Sequence, residues 1–306
     1  VLVPGGAGFV GSHLCERLLA EGRDVVCVDN LSTGSAANVE HLLKESGFEF
    51  FEYDVTGHLE EFGVLDEIFH LASPASPADF ETRSIEILDA GSAGTRNVLE
   101  IARESGARFL LASTSEVYGD PLVHPQHEEY LGNADPVGVR GCYDEAKRFS
   151  ESLTMAYHRR HGVETRIARI FNTYGPRMRS DDGRMVPNFI GQTLAGEPLT
   201  IYGDGSQTRS IQYVEDLVEG LVRLMRSTER RPVNLGNPEE HTVAGIADII
   251  SDLSGGDGGV EHLPLPEGDP ARRCPDISRA RESLGWEPKT SARDGLEKTL
   301  RSLSGR

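Results

Sequence analysis

The 306-residue sequence is poor in cysteine, lysine and net positive charge, and has no long apolar run. Its four cysteines, Cys15, Cys27, Cys142 and Cys274, show no Cys-x-x-Cys or other metal-like spacing. Two of them fall in apolar, core-like stretches, which points to a reducing, cytoplasmic compartment. The 31 Lys+Arg against 49 Asp+Glu leave a formal net charge of −18, which argues against a nucleic-acid partner or an anionic membrane surface. No segment approaches the roughly 18 apolar residues of a membrane helix. Val1 already stands in a strand-like run, so the natural N-terminus is expected to precede it, and a removed targeting segment stays open. A hydrophobic fraction of 38% with 26% charged residues describes an ordinary globular chain, long enough for two domains or one α/β unit with a lobe.

What is present is alternation. Short apolar runs at 1–3, 25–28, 48–53, 67–71, 108–112 and 165–171 alternate with amphipathic stretches at 9–20, 84–104 and 143–161. That pattern predicts βαβ units: a Rossmann-type, doubly wound parallel sheet of the α/β class. After about Tyr174 the texture changes to loops at 175–184 and 203–209, helices at 186–194, 215–226 and 243–253, a flexible turn at 254–259 and a proline-rich loop at 264–275. The expected division is a dinucleotide-binding domain over 1–174, rejoined by about 211–237, and a smaller mixed α/β substrate lobe within 175–306.

Gly5-Gly6-Ala7-Gly8-Phe9-Val10-Gly11 follows the first strand and opens the first helix. Gly5 permits a tight turn, Gly8 lets backbone approach a pyrophosphate, and Gly11 permits close helix–strand packing. Asp29, at the end of the second strand, would accept hydrogen bonds from a ribose diol and repel a 2′-phosphate, so NAD is expected rather than NADP. The alternative is an empty structural turn. Pro4 stands where a hydroxyl residue would contact that turn. Asp54, with Val55, either borders the adenine or forms a strand-end turn.

Tyr143 and Lys147 are four residues apart on an expected helix and share a face. A neighbouring ammonium would favour the phenolate and turn Tyr143 into a base. Ser113-Thr114-Ser115-Glu116 ends the fifth strand, where open α/β sheets place their sites. His124-x-x-His127 and His158-x-x-His161 resemble metal pairs, but no cysteine joins either, so no metal site is expected.

Together, Gly5–Gly11, Asp29, Thr114, Tyr143 and Lys147 resemble the extended short-chain dehydrogenase/reductases that act on nucleotide sugars, over essentially the whole chain. Three segments are more specifically similar to the UDP-glucuronate decarboxylase (UDP-xylose synthase) branch: 70–77 (HLASPASP), 140–148 (RGCYDEAKR) and 203–209 (GDGSQTR). Dehydratases of the family carry Asp where this chain has Ser115, so the acid expected to expel a C6 hydroxyl is missing.

The resemblance implies an NAD-retaining lyase acting on UDP-glucuronate. Tyr143, assisted by Lys147 and Thr114, would take the C4-hydroxyl proton during oxidation. The resulting β-keto acid would lose carbon dioxide, and C4 would be reduced again to give UDP-xylose. Glu116 would handle the C5 proton, directly or through a water, or orient the sugar. The dinucleotide would lie against Gly5, Gly8, Phe9, Val10, Gly11, Asp29, Asn30, Ser32, Thr33, Gly34, Asp54, Val55, Leu71, Ala72, Ser73, Tyr143 and Lys147. The substrate would meet Ser115, Glu116, Asn172, Arg177, Val186, Asn188, Tyr202, Gln207, Arg209 and Arg273, with Tyr202 beside the base and Arg273 facing the uronate or diphosphate. Guanidinium forks suit those anions. The same resemblance implies a homodimer through a four-helix interface built from 84–104 and 143–161. The rival readings are dTDP-glucuronate as substrate, a 4,6-dehydratase or 4-epimerase, and a non-catalytic NAD-binding sensor.

Overall fold

The computed structural model describes residues 1–57, 62–256, 258–264 and 273–304. The chain opens with strand β1 (Leu2–Pro4), helix α1 (Phe9–Ala20) and strands β2 (Val25–Asp29), β3 (Phe48–Glu52) and β4 (Glu67–His70). Helices α2 (Ser84–Asp89) and α3 (Thr95–Ser105), strand β5 (Arg108–Thr114), helix α4 (Gly141–His161) and strands β6 (Thr165–Ile170) and β7 (Thr173–Tyr174) follow. Next come α5 (Met185–Ala195), β8 (Leu199–Tyr202), β9 (Thr208–Ser210), β10 (Gln212–Tyr213), α6 (Val214–Arg226) and β11 (Val233–Leu235). The chain continues with β12 (Glu240–Thr242), α7 (Val243–Ser254), β13 (Val260–Leu263), α8 (Ser278–Leu284) and α9 (Ala292–Leu303).

Seven strands form one parallel sheet in the order β11-β6-β5-β4-β1-β2-β3. Successive side chains enter different cores: Leu2 packs with residues of α3 and α4, whereas Val3 packs with α1 and α6. Because helices cover both faces, β1, β4 and β5 are buried almost throughout and read in sequence as continuous apolar runs. Each such aliphatic side chain contributes about 1.5–3 kcal/mol relative to exposure. Strand order reverses between β1 and β4, which opens a crevice beyond their carboxyl ends.

The helix expected over 84–104 is interrupted. A π-helical turn over Ala90–Gly94 separates α2 from α3. Side chains take the carbonyls that a regular ladder would use: Thr95 Oγ1 donates to Ala90 O (3.3 Å) and Ser150 Oγ of α4 donates to Gly91 O (2.8 Å). Helix α4 begins two residues before the expected start at Tyr143.

Beyond β6 the described residues form three short pairings that hydrophobic patterning does not announce, one of them β7 with β10. Strands β8 and β13 run parallel, and β9 pairs antiparallel with β12, so the expected 203–209 loop gives way to a strand at Thr208. Strand β11 returns to pair with β6 in the main sheet. Residue 257 of the expected turn and residues 265–272 of the expected proline-rich loop lie outside the described residues.

Candidate active site

The first strand–helix turn admits only glycine at its tight points. Gly5 has φ +83°, and its N–H donates to Val28 O at 2.7 Å. A Cβ on Gly11 would lie 2.1 Å from Gly5 O, inside any allowed contact. Gly8 caps α1 without a side chain on its N–H groups, leaving a positive helix end facing the cavity. Asp29 serves this turn directly: Oδ2 accepts Ala7 N–H (3.0 Å) and Oδ1 accepts Leu31 N–H (2.9 Å). Burial pushes its pKa up against these hydrogen bonds and one from the Gly8 N–H. Its carboxylate is therefore partly committed to holding the loop, a role not read from the sequence. A notch closed to any Cβ, an uncapped helix end and a strand-end carboxylate fit a dinucleotide's pyrophosphate and ribose.

Asp29, Asn30, Asp54, Val55 and Ala72 line a cavity of ≈ 160 Å³. It shares Gly5, Gly8, Ser32, Thr33, Gly34, Leu71 and Ser73 with a much larger cleft of ≈ 1250 Å³. Both readings of Asp54 have a counterpart: Oδ1 accepts Thr56 N–H in a tight turn, and Oδ2 accepts Asn30 Nδ2–H at 2.8 Å on the cavity wall. The other residues expected to meet cofactor or substrate line the large cleft: Phe9, Val10 and Gly11 from α1, Thr114, Ser115 and Glu116 from the end of β5 and the turn after it, Tyr143 and Lys147 from α4, and Asn172, Arg177, Val186, Asn188, Tyr202, Gln207, Arg209 and Arg273 from the lobe side.

Tyr143 and Lys147 are buried one turn apart on α4. The Tyr143 ring stacks on Phe80, with centroids 5.2 Å apart. Lys147 Nζ donates to Ala112 O of β5 (2.9 Å) and stands 5.8 Å from the Tyr143 ring centroid. Burial pushes the phenol up to about 12, with a hydrogen bond to Thr114 pulling the other way. Burial pushes Lys147 down to about 8. The expected lowering of the phenol by Lys147 is thus not what governs it here: desolvation outweighs it, and the ammonium is turned toward the strand. Tyr143 is a neutral phenol at pH 7.

Glu116 follows Thr114, whose Oγ1 accepts the Glu116 N–H (3.2 Å) in a short turn capping β5. The guanidiniums of Arg140 and Arg273 both donate to its carboxylate. Burial alone would raise this carboxyl, but Arg273 and Arg140 hold it below the usual carboxylate range, so it is ionised. Arg273 and Arg177, expected to face substrate anions, are each already ion-paired: Arg273 with Glu116, and Arg177 Nη2 with Glu16 of α1 (2.6 Å). Asn188 Nδ2 donates to Gly183 O (3.3 Å), Gln207 Nε2 to Tyr202 O (2.6 Å) and Arg209 Nη1 to Thr208 O (2.8 Å), which order the lobe wall.

The sequence reading missed four residues of this cleft region. Arg140, Arg179 and Arg184 line the cleft, and Asp144 is buried beside it. Asp144 is pushed up to about 7 by burial and by the Glu116 charge. Position offered a signal for Arg140 and Asp144, which flank Tyr143 on the first turn of α4. Among the described residues, seven cationic side chains line the cleft against four acidic ones, although the whole chain carries −18. The expectation that no cysteine joins His124 also fails: the fold brings Cys274 to it from far along the chain.

The NAD dependent epimerase/dehydratase family matches over residues 1–236. The chain is 52% identical over 304 residues to UDP-glucuronic acid decarboxylase 1 of Danio rerio, covering 99% of this chain and 72% of that protein. It is 54% identical to UDP-glucuronic acid decarboxylase 2 of Arabidopsis thaliana, covering 97% of this chain and 66% of that one. Among solved structures, a UDP-glucose 4-epimerase from Thermotoga maritima with UDP-glucose superposes with a TM-score of 0.91 at 29% identity, covering 99% and 97% of the two chains. The UDP-glucuronic acid 4-epimerase from Bacillus cereus, in complex with UDP-glucuronic acid and NAD, superposes with a TM-score of 0.87 at 29% identity, covering 99% and 98%. By fold, by the glycine turn and by sequence, the chain belongs to the NAD dependent epimerase/dehydratase family, the extended short-chain dehydrogenase/reductases.

Proposed function

We propose that this chain is an NAD-dependent decarboxylase converting UDP-glucuronate to UDP-xylose and carbon dioxide. One observation carries the reading: identity of 52–54% to UDP-glucuronic acid decarboxylases over 97–99% of the chain. NAD, bound in the glycine notch, supplies the oxidation of the sugar at C4 and its later reversal.

Tyr143 accepts the C4-hydroxyl proton, with Thr114 hydrogen-bonded to its phenol and Lys147 one turn below. A phenol at about 12 is a poor base, so it works only once positive charge enters the cleft beside it. Glu116 is ionised and cannot itself donate the C5 proton. It orients the sugar and a water that delivers the C5 proton, the proton being drawn from bulk solvent. Asp29, Asn30 and Asp54 hold the adenosine end. Arg177, Arg209 and Arg273 meet the diphosphate and the uronate. Asn172, Val186, Asn188, Tyr202 and Gln207 line the nucleotide pocket. Ser115, in place of an acid, argues against dehydration.

The test is incubation with UDP-glucuronate while trapping carbon dioxide and identifying the sugar product, with dTDP-glucuronate in parallel. Carbon dioxide and a pentose support the reading. UDP-galacturonate without gas would assign a 4-epimerase, and no turnover at all would favour an NAD-binding sensor.

The domain division is part of the same proposal: a dinucleotide domain over 1–174 rejoined by about 211–237, with the substrate lobe in the remainder. The pairing of β11 with β6 supports it. A homodimer through α2–α3 and α4 is supported by exposed Ile85, Leu88 and Phe149 on these helices, and a monomeric mass by light scattering would refute it. Four unpaired thiols support a cytoplasmic, reducing location, and no helix among the described residues is long and apolar enough to cross a membrane.

A further inference from the structure

Three segments remote in sequence meet beside the cleft and present three different donor atoms. His124 comes from the loop after β5, Glu240 from the start of β12, and Cys274 from the segment before α8. One ligand atom from each, imidazole nitrogen, carboxylate oxygen and thiol sulfur, lies within 4.8 Å of the other two. His124 Nε2 and Glu240 Oε2 are 3.1 Å apart. We propose that His124, Glu240 and Cys274 form a binding site for one divalent cation of the zinc class.

The donor set selects the metal. Nitrogen, sulfur and oxygen together suit zinc and its neighbours, whereas calcium and magnesium require oxygen shells. Tetrahedral zinc places its ligand atoms about 3.5 Å apart, so contraction by about an ångström closes the site and leaves a fourth position for water. His127, the sequence neighbour that makes a metal-like pair with His124, turns away to Glu129 (3.3 Å) and takes no part.

The surroundings already hold the three ligands in place. Gln126 fixes the His124 loop to Cys274 through one backbone and one side-chain hydrogen bond: its N–H donates to Cys274 O (2.9 Å), and its Oε1 accepts Cys274 N–H (2.9 Å). Thr208 of β9 donates to Glu240 Oε1 (2.5 Å), leaving Oε2 for the site. Such outer partners orient ligands and sustain affinity. Cys274 is protonated and donates to Pro238 O (3.4 Å). On binding, the thiol proton goes to solvent, this hydrogen bond is released, and a sulfur–metal bond replaces it. Because Arg273 precedes Cys274, an ion here ties the segment carrying Arg273 to β12 and to the 119–127 loop.

The experiment is titration of the purified chain with Co²⁺, which reports thiolate coordination by charge-transfer absorption. One equivalent is expected to give that band, and Zn²⁺ to displace it. Cys274→Ser abolishes the band, and His124→Ala and Glu240→Gln each weaken binding by 10-fold or more. Cys142→Ser and His127→Ala leave it in place. Absence of the band in the wild-type chain overturns the proposal, as does a band that survives Cys274→Ser. Affinity unchanged from wild type in both His124→Ala and Glu240→Gln would reduce the site to a lone thiol and likewise overturn it. Glu240 is an exposed residue, so its variant keeps the test valid should Cys274→Ser fail to fold.

Discussion

The guanidinium of Arg273 donates to the carboxylate of Glu116, joining residues 157 positions apart at the centre of the cleft. Arg140 closes on the same carboxylate from the approach to α4. The contact fixes the protonation state of Glu116 and anchors the lobe side of the cleft to the end of β5. Arg273→Ala removes the larger of the two charges that hold this carboxyl down, so its pKa rises. The acid limb of the kcat/KM profile should then move to higher pH, and the rate at neutral pH should fall by about 10²–10³-fold. A pH–rate series on both proteins checks this.

Tyr143→Phe keeps the ring stacked on Phe80 and removes only the hydroxyl. Carbon dioxide release should fall by about 10²–10⁴-fold with little change in KM, and the protein should still purify with NAD. Steady-state kinetics and cofactor content after denaturation measure both.

Lys147 is buried with its pKa lowered to about 8. The sign follows from linkage: the unfolded chain binds the proton more tightly, so the fold bears the full cost of the buried ammonium below pH 8 and is relieved of it between pH 8 and 10.5. Lys147→Met should be inactive yet more stable at pH 7, by on the order of 2 kcal/mol after the lost hydrogen bond to Ala112 is counted. That advantage should shrink as pH rises through the window. Denaturant unfolding at several pH values tests it.

Asp144 shows the opposite linkage. Its pKa is raised from 3.8 to about 7, so the native state holds a proton that the unfolded chain has released. Stability falls as pH rises through that interval, and the cost is complete above pH 7. Asp144→Asn should therefore raise Tm most above pH 7 and least near pH 4, as read by thermal melts across that range.

Gly11→Ala places a methyl group 2.1 Å from Gly5 O, a backbone atom that cannot step aside without opening the turn. The variant should lose about 1–3 kcal/mol and its bound NAD together. Calorimetry with and without added NAD separates the two effects.

What the sequence by itself determined was everything set by short-range spacing. The alternation of apolar runs and amphipathic stretches specifies a parallel sheet wrapped by helices, because burial on both faces needs no information from distant residues. The Gly5–Gly11 turn, Asp29 and the Tyr143/Lys147 pair are legible for the same reason: each lies within one βα unit or one helical turn. The interruption at Ala90–Gly94 was not legible, since it depends on Ser150 reaching across from α4. The lowered pKa of Glu116 and the raised pKa values of Tyr143 and Asp144 were likewise decided only by tertiary structure. These states follow from desolvation and from charges that chain-distant elements bring within a few ångströms. The net charge of −18 belongs to the whole chain, whereas the cationic excess of the cleft exists only because the fold gathers its arginines there.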